Sequence, residues 1–216
     1  MLPIAALILT EDVPGAMPGM DRVERAALAA RRAGISYVYF TGRRQPNLEL
    51  LRRLRAQGVF GSHLLGWPRR IFAGLVPAHQ IVVLDPRMPI DHGAVETALR
   101  AAARRPTIAQ LAVKVGEAQK NNVIDVEDGR VTSVVGDGNA APAGIAVIPY
   151  SLVHRLMQVR SMVDAIHRLA KTGDVQAVRL EPQASRPQSL RLAATFARAQ
   201  MLVREFLGQR LLPLRS

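Results

Sequence analysis

The chain has no cysteine, and only three of its 216 residues are lysine: Lys114, Lys120 and Lys171. The lack of cysteine excludes a disulfide framework and a thiolate metal site. It also fits a reducing compartment, so cytoplasmic placement is expected. Aromatic residues are sparse, with Trp67 the single tryptophan. No basic run is interleaved with aromatics, which argues against a nucleic-acid surface. Long apolar runs are missing too. The opening stretch Ile4 to Leu9 has no basic residues before it and is too short to span a bilayer. It reads as a buried strand rather than a signal peptide or anchor. No Gly-x-Ser-x-Gly and no Walker motif occurs, which removes the usual nucleophile elbow and P-loop.

What is present is positive charge on a globular composition. Residues are 49% hydrophobic and 21% charged, enough to build a core. The net charge is +12 and nearly all of the excess is arginine. This balance suits an anionic partner such as a nucleotide, a phosphorylated substrate or an anionic membrane face. It equally fits arginines spread over solvated helix faces.

Read along the chain, Ile4 to Leu9 ends at a loop, Thr10 to Gly19, and a helical pattern runs from about Met20 to Ala33 before Gly34. A second apolar run, Ile35 to Phe40, leads to Thr41-Gly42. This strand–loop–helix–strand opening is that of an α/β sheet. A helix follows from about Pro46 to Gln57, closed by Gly58, and Val59 to Gly74 shows no regular pattern. The continuous apolar run Ile81 to Leu84 before Asp85-Pro86 predicts a buried parallel strand. Asp91 is placed to cap a helix over Gly93 to Ala103, and Arg104-Arg105-Pro106 ends it.

The pattern then changes. Leu111 to Val115 reads as a strand. Asn122 to Glu127 and Arg130 to Val135 flank Asp128-Gly129, a hairpin signal because both turn positions favour positive φ. Gly144 to Ile148 predicts another strand and Ser151 the start of a helix. A helix over Ser161 to Thr172, stopped by Gly173, precedes a last strand from Val175 to Leu180. Ser189 to Leu207 forms a basic amphipathic pattern, with Leu190, Phe196, Met201 and Phe206 near Arg191, Arg198 and Arg204. Such a helix lies on an anionic membrane surface or packs on the core or a dimer partner. The expected fold is α/β: a mostly parallel central sheet with helices on both faces and a small β-hairpin region. The expected division is an α/β domain over residues 1–188 and a helix and tail over 189–216.

The ordered set of segments resembles the nucleotidyltransferases of the glycosyltransferase-A type. Within them it is similar to the sugar- and polyol-phosphate cytidylyltransferases, including the domain fused to CDP-alcohol phosphatidyltransferases. The residues that carry this are Ala6 to Leu9, Pro18 to Val23, Ala30 to Ile35, Tyr37 to Gly42, Val82 to Asp85, Val126 to Val131, Ala143 to Val147 and Ser151 to Val153. The resemblance implies a Rossmann-like sheet that binds a nucleotide through Leu9, Thr10, Glu11, Asp12, Gly15 and Arg22. It also implies Mg²⁺ at Asp85 and a phosphorylated substrate near Gly144. As partners it implies a nucleotide, a phosphorylated small molecule and a fused or membrane-associated transferase, with placement at the inner face of the membrane.

The departures from the family pattern are chemical. Its phosphate loop is rich in glycine and carries a basic residue, with a lysine soon after. Here the corresponding stretch reads Thr10-Glu11-Asp12-Val13-Pro14-Gly15, and no lysine precedes Lys114. Two carboxylates in a triphosphate cradle repel it unless a metal lies between them. Arg22 and Arg25 are the cations available to take the role. The family's second metal aspartate is missing from Leu180 to Pro187, where only Glu181 is acidic. Asp85 itself reads either as the first metal ligand or as a turn residue before Pro86. His92 and Glu96 share a helical face, which suits a solvated surface better than a metal pair. Gly136 to Asn139 reads as a plain turn, since no helix follows it. The expectation is a degenerate nucleotidyltransferase-like domain serving as a binding, regulatory or assembly module. The alternatives are an active CTP-dependent enzyme acting on a sugar or polyol phosphate, or a basic membrane or nucleic-acid scaffold.

Overall fold

The computed structural model describes residues 4–10, 22–41, 46–64, 80–115, 124–134, 138–156 and 162–180. All lie in one compact unit, Met1–Leu180. In chain order the elements are β1 (Ile4–Leu9), α1 (Arg22–Arg32), β2 (Tyr37–Thr41), α2 (Leu48–Ala56), β3 (Phe60–Leu64), β4 (Gln80–Leu84), α3 (His92–Arg104), β5 (Ala109–Val115), β6 (Ile124–Glu127), β7 (Arg130–Val134), β8 (Ala140–Pro149), α4 (Tyr150–Leu156), α5 (Met162–Lys171) and β9 (Val175–Arg179).

The strands form one mixed sheet in the order β3-β2-β1-β4-β8-β5-β9-β7-β6. β3, β2, β1 and β4 are mutually parallel. β8 enters antiparallel between β4 and β5, and β5 pairs parallel with β9. β6 also returns to the start of β8 at Ile124↔Ala140. β8, β5, β9, β7 and β6 therefore make a closed circuit of pairings, which shelters strand edges.

Side-chain parity divides the core into two layers. From β1 and β4, Ala5, Leu7, Ile81 and Val83 face one layer, closed by Leu152 and Val153 of α4 and by Ile166 and Leu169 of α5. Ala6, Ile8, Val82 and Leu84 face the other, closed by α1, α2 and α3 through Leu28, Leu54 and Val95. This is why β1 and β4 are unbroken apolar runs: each successive side chain meets a helix layer. On α1 the buried face is largely alanine, Ala26, Ala27, Ala29 and Ala30, and small side chains let the helix sit close to the sheet.

The local signals act as read. Asp91 caps α3, its Oδ1 accepting from the Ala94 amide at 3.0 Å. The Asp128-Gly129 turn joins β6 to β7 with φ of 47° and 77°, the left-handed pair that such a turn requires. The Asn139 side chain accepts from the Val126 amide and donates to the Val126 carbonyl, both at 3.0 Å. It satisfies the β6 backbone where the β6–β7 register shifts, so the Asn139 side chain has a structural use; Gly136 and Asp137 lie outside the described residues. β3 is a difference from the sequence reading, which placed no regular element between Val59 and Gly74. Phe60-Gly61-Ser62-His63-Leu64 has no apolar run, but an edge strand needs only one partner, and β2 supplies it.

Candidate functional site

In open α/β sheets ligands bind beyond the carboxyl ends of the parallel strands. Here that edge gathers Leu9 at the end of β1 and Thr10 after it, Thr41 at the end of β2 and Asp85 after β4. Leu9 pairs with Thr41 and packs half-buried on the α4–α5 side of the core. The Thr10 amide donates to the Thr41 carbonyl at 2.7 Å, and the Thr10 hydroxyl donates to the same oxygen. Thr10 thus closes the β1–β2 ladder. Glu11, Asp12 and Gly15 lie outside the described residues, as do Glu181 and the segment 189–216.

Asp85 is tied down from several sides. Its amide donates to the Gly144 carbonyl at 2.8 Å, and its own carbonyl accepts from the Met88 amide at 3.1 Å. Its Oδ1 accepts from the Arg87 amide at 3.1 Å and from Arg87 Nε at 2.9 Å. Its Oδ2 accepts from Arg87 Nε at 3.1 Å and from a terminal guanidinium nitrogen of Arg87 at 2.6 Å. The pair is bidentate, the strong form of an arginine–carboxylate contact. The Asp85 side chain is 16% exposed and that of Arg87 52%, so the carboxylate sits low in the edge with the guanidinium above it.

Gly144 fixes this turn from behind. Its φ is 76°, and a Cβ there would stand 2.7 Å from Met88 Cβ and 3.0 Å from the Asp85 carbonyl oxygen. Between Leu111↔Ala146 and Val113↔Pro142, β8 carries extra residues that bulge around Gly144. Glycine alone combines that backbone with so close an approach.

Arg22 opens α1 and donates to the Arg87 carbonyl at 3.4 Å. Arg22 and Arg25 are three apart and share a helical face. With Arg87, Pro86, Met88 and Ile90 they line a cavity of about 140 Å³. Three arginines from α1 and the β4–α3 turn therefore line one cavity, the residue type suited to a phosphate or carboxylate. Glu24, the acid nearest them on α1, is buried and turned away. It accepts from Arg53 of α2 at 3.2 and 2.9 Å. Hydrogen bonding to Glu24 raises the Arg53 pKa above its ordinary value, with desolvation opposing it. A larger apolar hollow of about 540 Å³ includes Tyr37, Leu48 and Phe60 in its lining. Tyr37 and Phe60 begin β2 and β3, so it lies toward the opposite end of those strands.

The Mg²⁺ expected at Asp85 does not fit these residues. Magnesium is held by one or two carboxylates plus substrate phosphates in strict octahedral geometry. Both Asp85 oxygens already accept from a cation. Among the described residues no three His, Asp, Glu or Cys side chains gather as a metal site, His92 and Glu96 included. Sequence reasoning identified Asp85, Arg22 and Arg25 but missed Arg87. The available signal was Asp85-Pro86-Arg87, an acid and a base two residues apart across a proline turn. Among the described residues no helix is long and apolar enough to cross a membrane.

No protein-family model matches this sequence, and no curated protein matches it. Solved structures do match the fold. The UTP-bound UGPase from Acinetobacter baumannii is 15% identical with a TM-score of 0.61, over 84% of this chain and 87% of its own. The inositol-1-phosphate CTP transferase from T. maritima is 15% identical with a TM-score of 0.56, over 83% and 86%. The 4-diphosphocytidyl-2C-methyl-D-erythritol synthase from Anaerococcus prevotii is 13% identical with a TM-score of 0.58, over 91% and 99%. The chain has the fold of these nucleotidyltransferases.

Proposed function

We propose that this chain is a nucleotidyltransferase-fold domain that binds a nucleotide or phosphorylated small molecule and does not carry out nucleotidyl transfer, serving as a binding, regulatory or assembly module. The observation that carries the reading is the Asp85–Arg87 pair beside the arginine-lined cavity. The strand edge keeps cations that attract phosphate, while the carboxylate that would hold a catalytic metal is engaged by a guanidinium. The sequence supports the same conclusion twice more, through a Thr10–Gly15 stretch without lysine and a Leu180–Pro187 stretch without aspartate. Electrostatic stabilisation of the attacked phosphorus is the main work of phosphoryl-type transfer. Losing the loop cation and the second metal carboxylate, with the first held by Arg87, removes most of it while leaving ground-state binding.

The fold neighbours that are UTP-bound or named for CTP transfer make pyrimidine nucleotides the first ligands to try. The experiment is calorimetric titration with CTP, UTP, ATP and GTP, paired with a pyrophosphate-release assay over sugar and polyol phosphates. Binding without pyrophosphate release is the expected result. Release that requires one of those acceptors would replace this reading with that of an active nucleotidyltransferase.

A further inference from the structure

We propose that Arg87 supplies at Asp85 the positive charge a divalent cation would otherwise bring, so that the Arg22–Arg25–Arg87 cavity takes a pyrophosphate-type anion without a metal. The inference rests on the phosphate-binding reading above and adds to it the absence of a metal requirement.

Three features of the β4–α3 turn carry it. First, the Asp85 carboxylate is committed to Arg87 twice, through the backbone amide at 3.1 Å and through the guanidinium fork at 2.6 to 3.1 Å. Turning Oδ1 toward a metal breaks its hydrogen bond with the Arg87 amide, and turning either oxygen breaks the bidentate ion pair. Second, the backbone beneath is fixed. The Asp85 amide is held by the Gly144 carbonyl at 2.8 Å, and the space behind the turn is closed by the approach of Gly144 to Met88. The carboxylate cannot be re-aimed by a small shift of the loop. Third, the charge is already of the sign a phosphate needs. Among the described residues, Arg22, Arg25 and Arg87 line the cavity, Asp85 stands beside it, and Glu24 is directed instead into its pair with Arg53. A doubly charged cation brought to Asp85 would meet the Arg87 guanidinium within contact range and be repelled. A phosphate there meets planar donors suited to its oxygens. Neutralisation of Asp85 by Arg87 has one further consequence. The carboxylate is a brake on anion binding, because it holds the fork that would otherwise turn to the ligand.

The test is calorimetric titration of inorganic pyrophosphate into the full chain, once in EDTA and once in excess MgCl₂. The wild type, Arg87→Ala and Asp85→Asn are compared, with melting curves to verify folding. The proposal expects wild-type binding in EDTA at least as tight as in magnesium. It expects a loss of tenfold or more in Arg87→Ala, and binding by Asp85→Asn equal to or tighter than wild type. Binding seen only with magnesium and lost in Asp85→Asn would overturn the proposal and leave the phosphate-binding reading standing. Binding in EDTA that Arg87→Ala leaves unchanged would also overturn it. No heat in either condition would end both.

Discussion

Among the described residues two arginine–carboxylate pairs are bidentate, and they differ in where the acid lies and what surrounds it. Glu24 is buried between α1 and α2, and Arg53 reaches it across 29 residues of chain while also touching Glu49 at 3.0 Å. Asp85 lies at the strand edge, and Arg87 reaches it from two residues away beside a cavity. The first pair joins two helices. The second links two residues of one turn, and Arg22 and Arg25 line the cavity beside it. The same chemistry therefore acts as a clamp in one place and as site charge in the other. The two roles separate by which measurement each substitution moves.

The largest effect is expected at Gly144, where the backbone under the Asp85 turn and the packing on Met88 fail together. Gly144→Ala places a side chain on a left-handed backbone against Met88. It should cost about 2–3 kcal/mol of stability in denaturant unfolding and weaken pyrophosphate binding as well. Arg87→Ala should weaken binding at least tenfold, about 1.4 kcal/mol, and leave the melting temperature nearly unchanged, since the side chain is half exposed. Glu24→Ala should do the reverse. The melting temperature falls by more than either Arg87→Ala or Asp85→Asn lowers it, and pyrophosphate affinity is unchanged. If Glu24→Ala weakened binding as much as Arg87→Ala does, the separation of clamp from site would be lost. Asp91→Ala removes the cap that starts α3 just after the site turn and should cost about 1 kcal/mol. Glu49→Ala should be silent in both assays, because its contact is an exposed i,i+4 pair.

The fold was legible where local chemistry and packing agree. Ile81 to Leu84 reads as a doubly buried strand because it is one, and Asp128-Gly129 signals its turn because few other residue pairs adopt that backbone. Asp91 announces α3 through its own side chain. β3 was not legible, since Phe60 to Leu64 owes its strand to hydrogen bonds from β2 rather than to any apolar pattern. At the site, Asp85, Arg22 and Arg25 could be named from the order of segments. The Asp85–Arg87 pair could not, because sequence shows that an acid and a base are neighbours but not that both oxygens are turned to one fork. Glu24–Arg53 was hidden for the opposite reason: its partners are distant in the chain and meet only when α1 packs beside α2.

The most direct test of the central claim is pyrophosphate release from CTP in the presence of magnesium and a panel of sugar and polyol phosphates, by the wild type and by Asp85→Ala. A domain whose edge carboxylate is held by Arg87 is predicted to release none above the protein-free rate, in either form, under conditions where calorimetry shows the nucleotide bound. Acceptor-dependent release by the wild type that Asp85→Ala abolishes would contradict the account, because it would make Asp85 a working metal ligand.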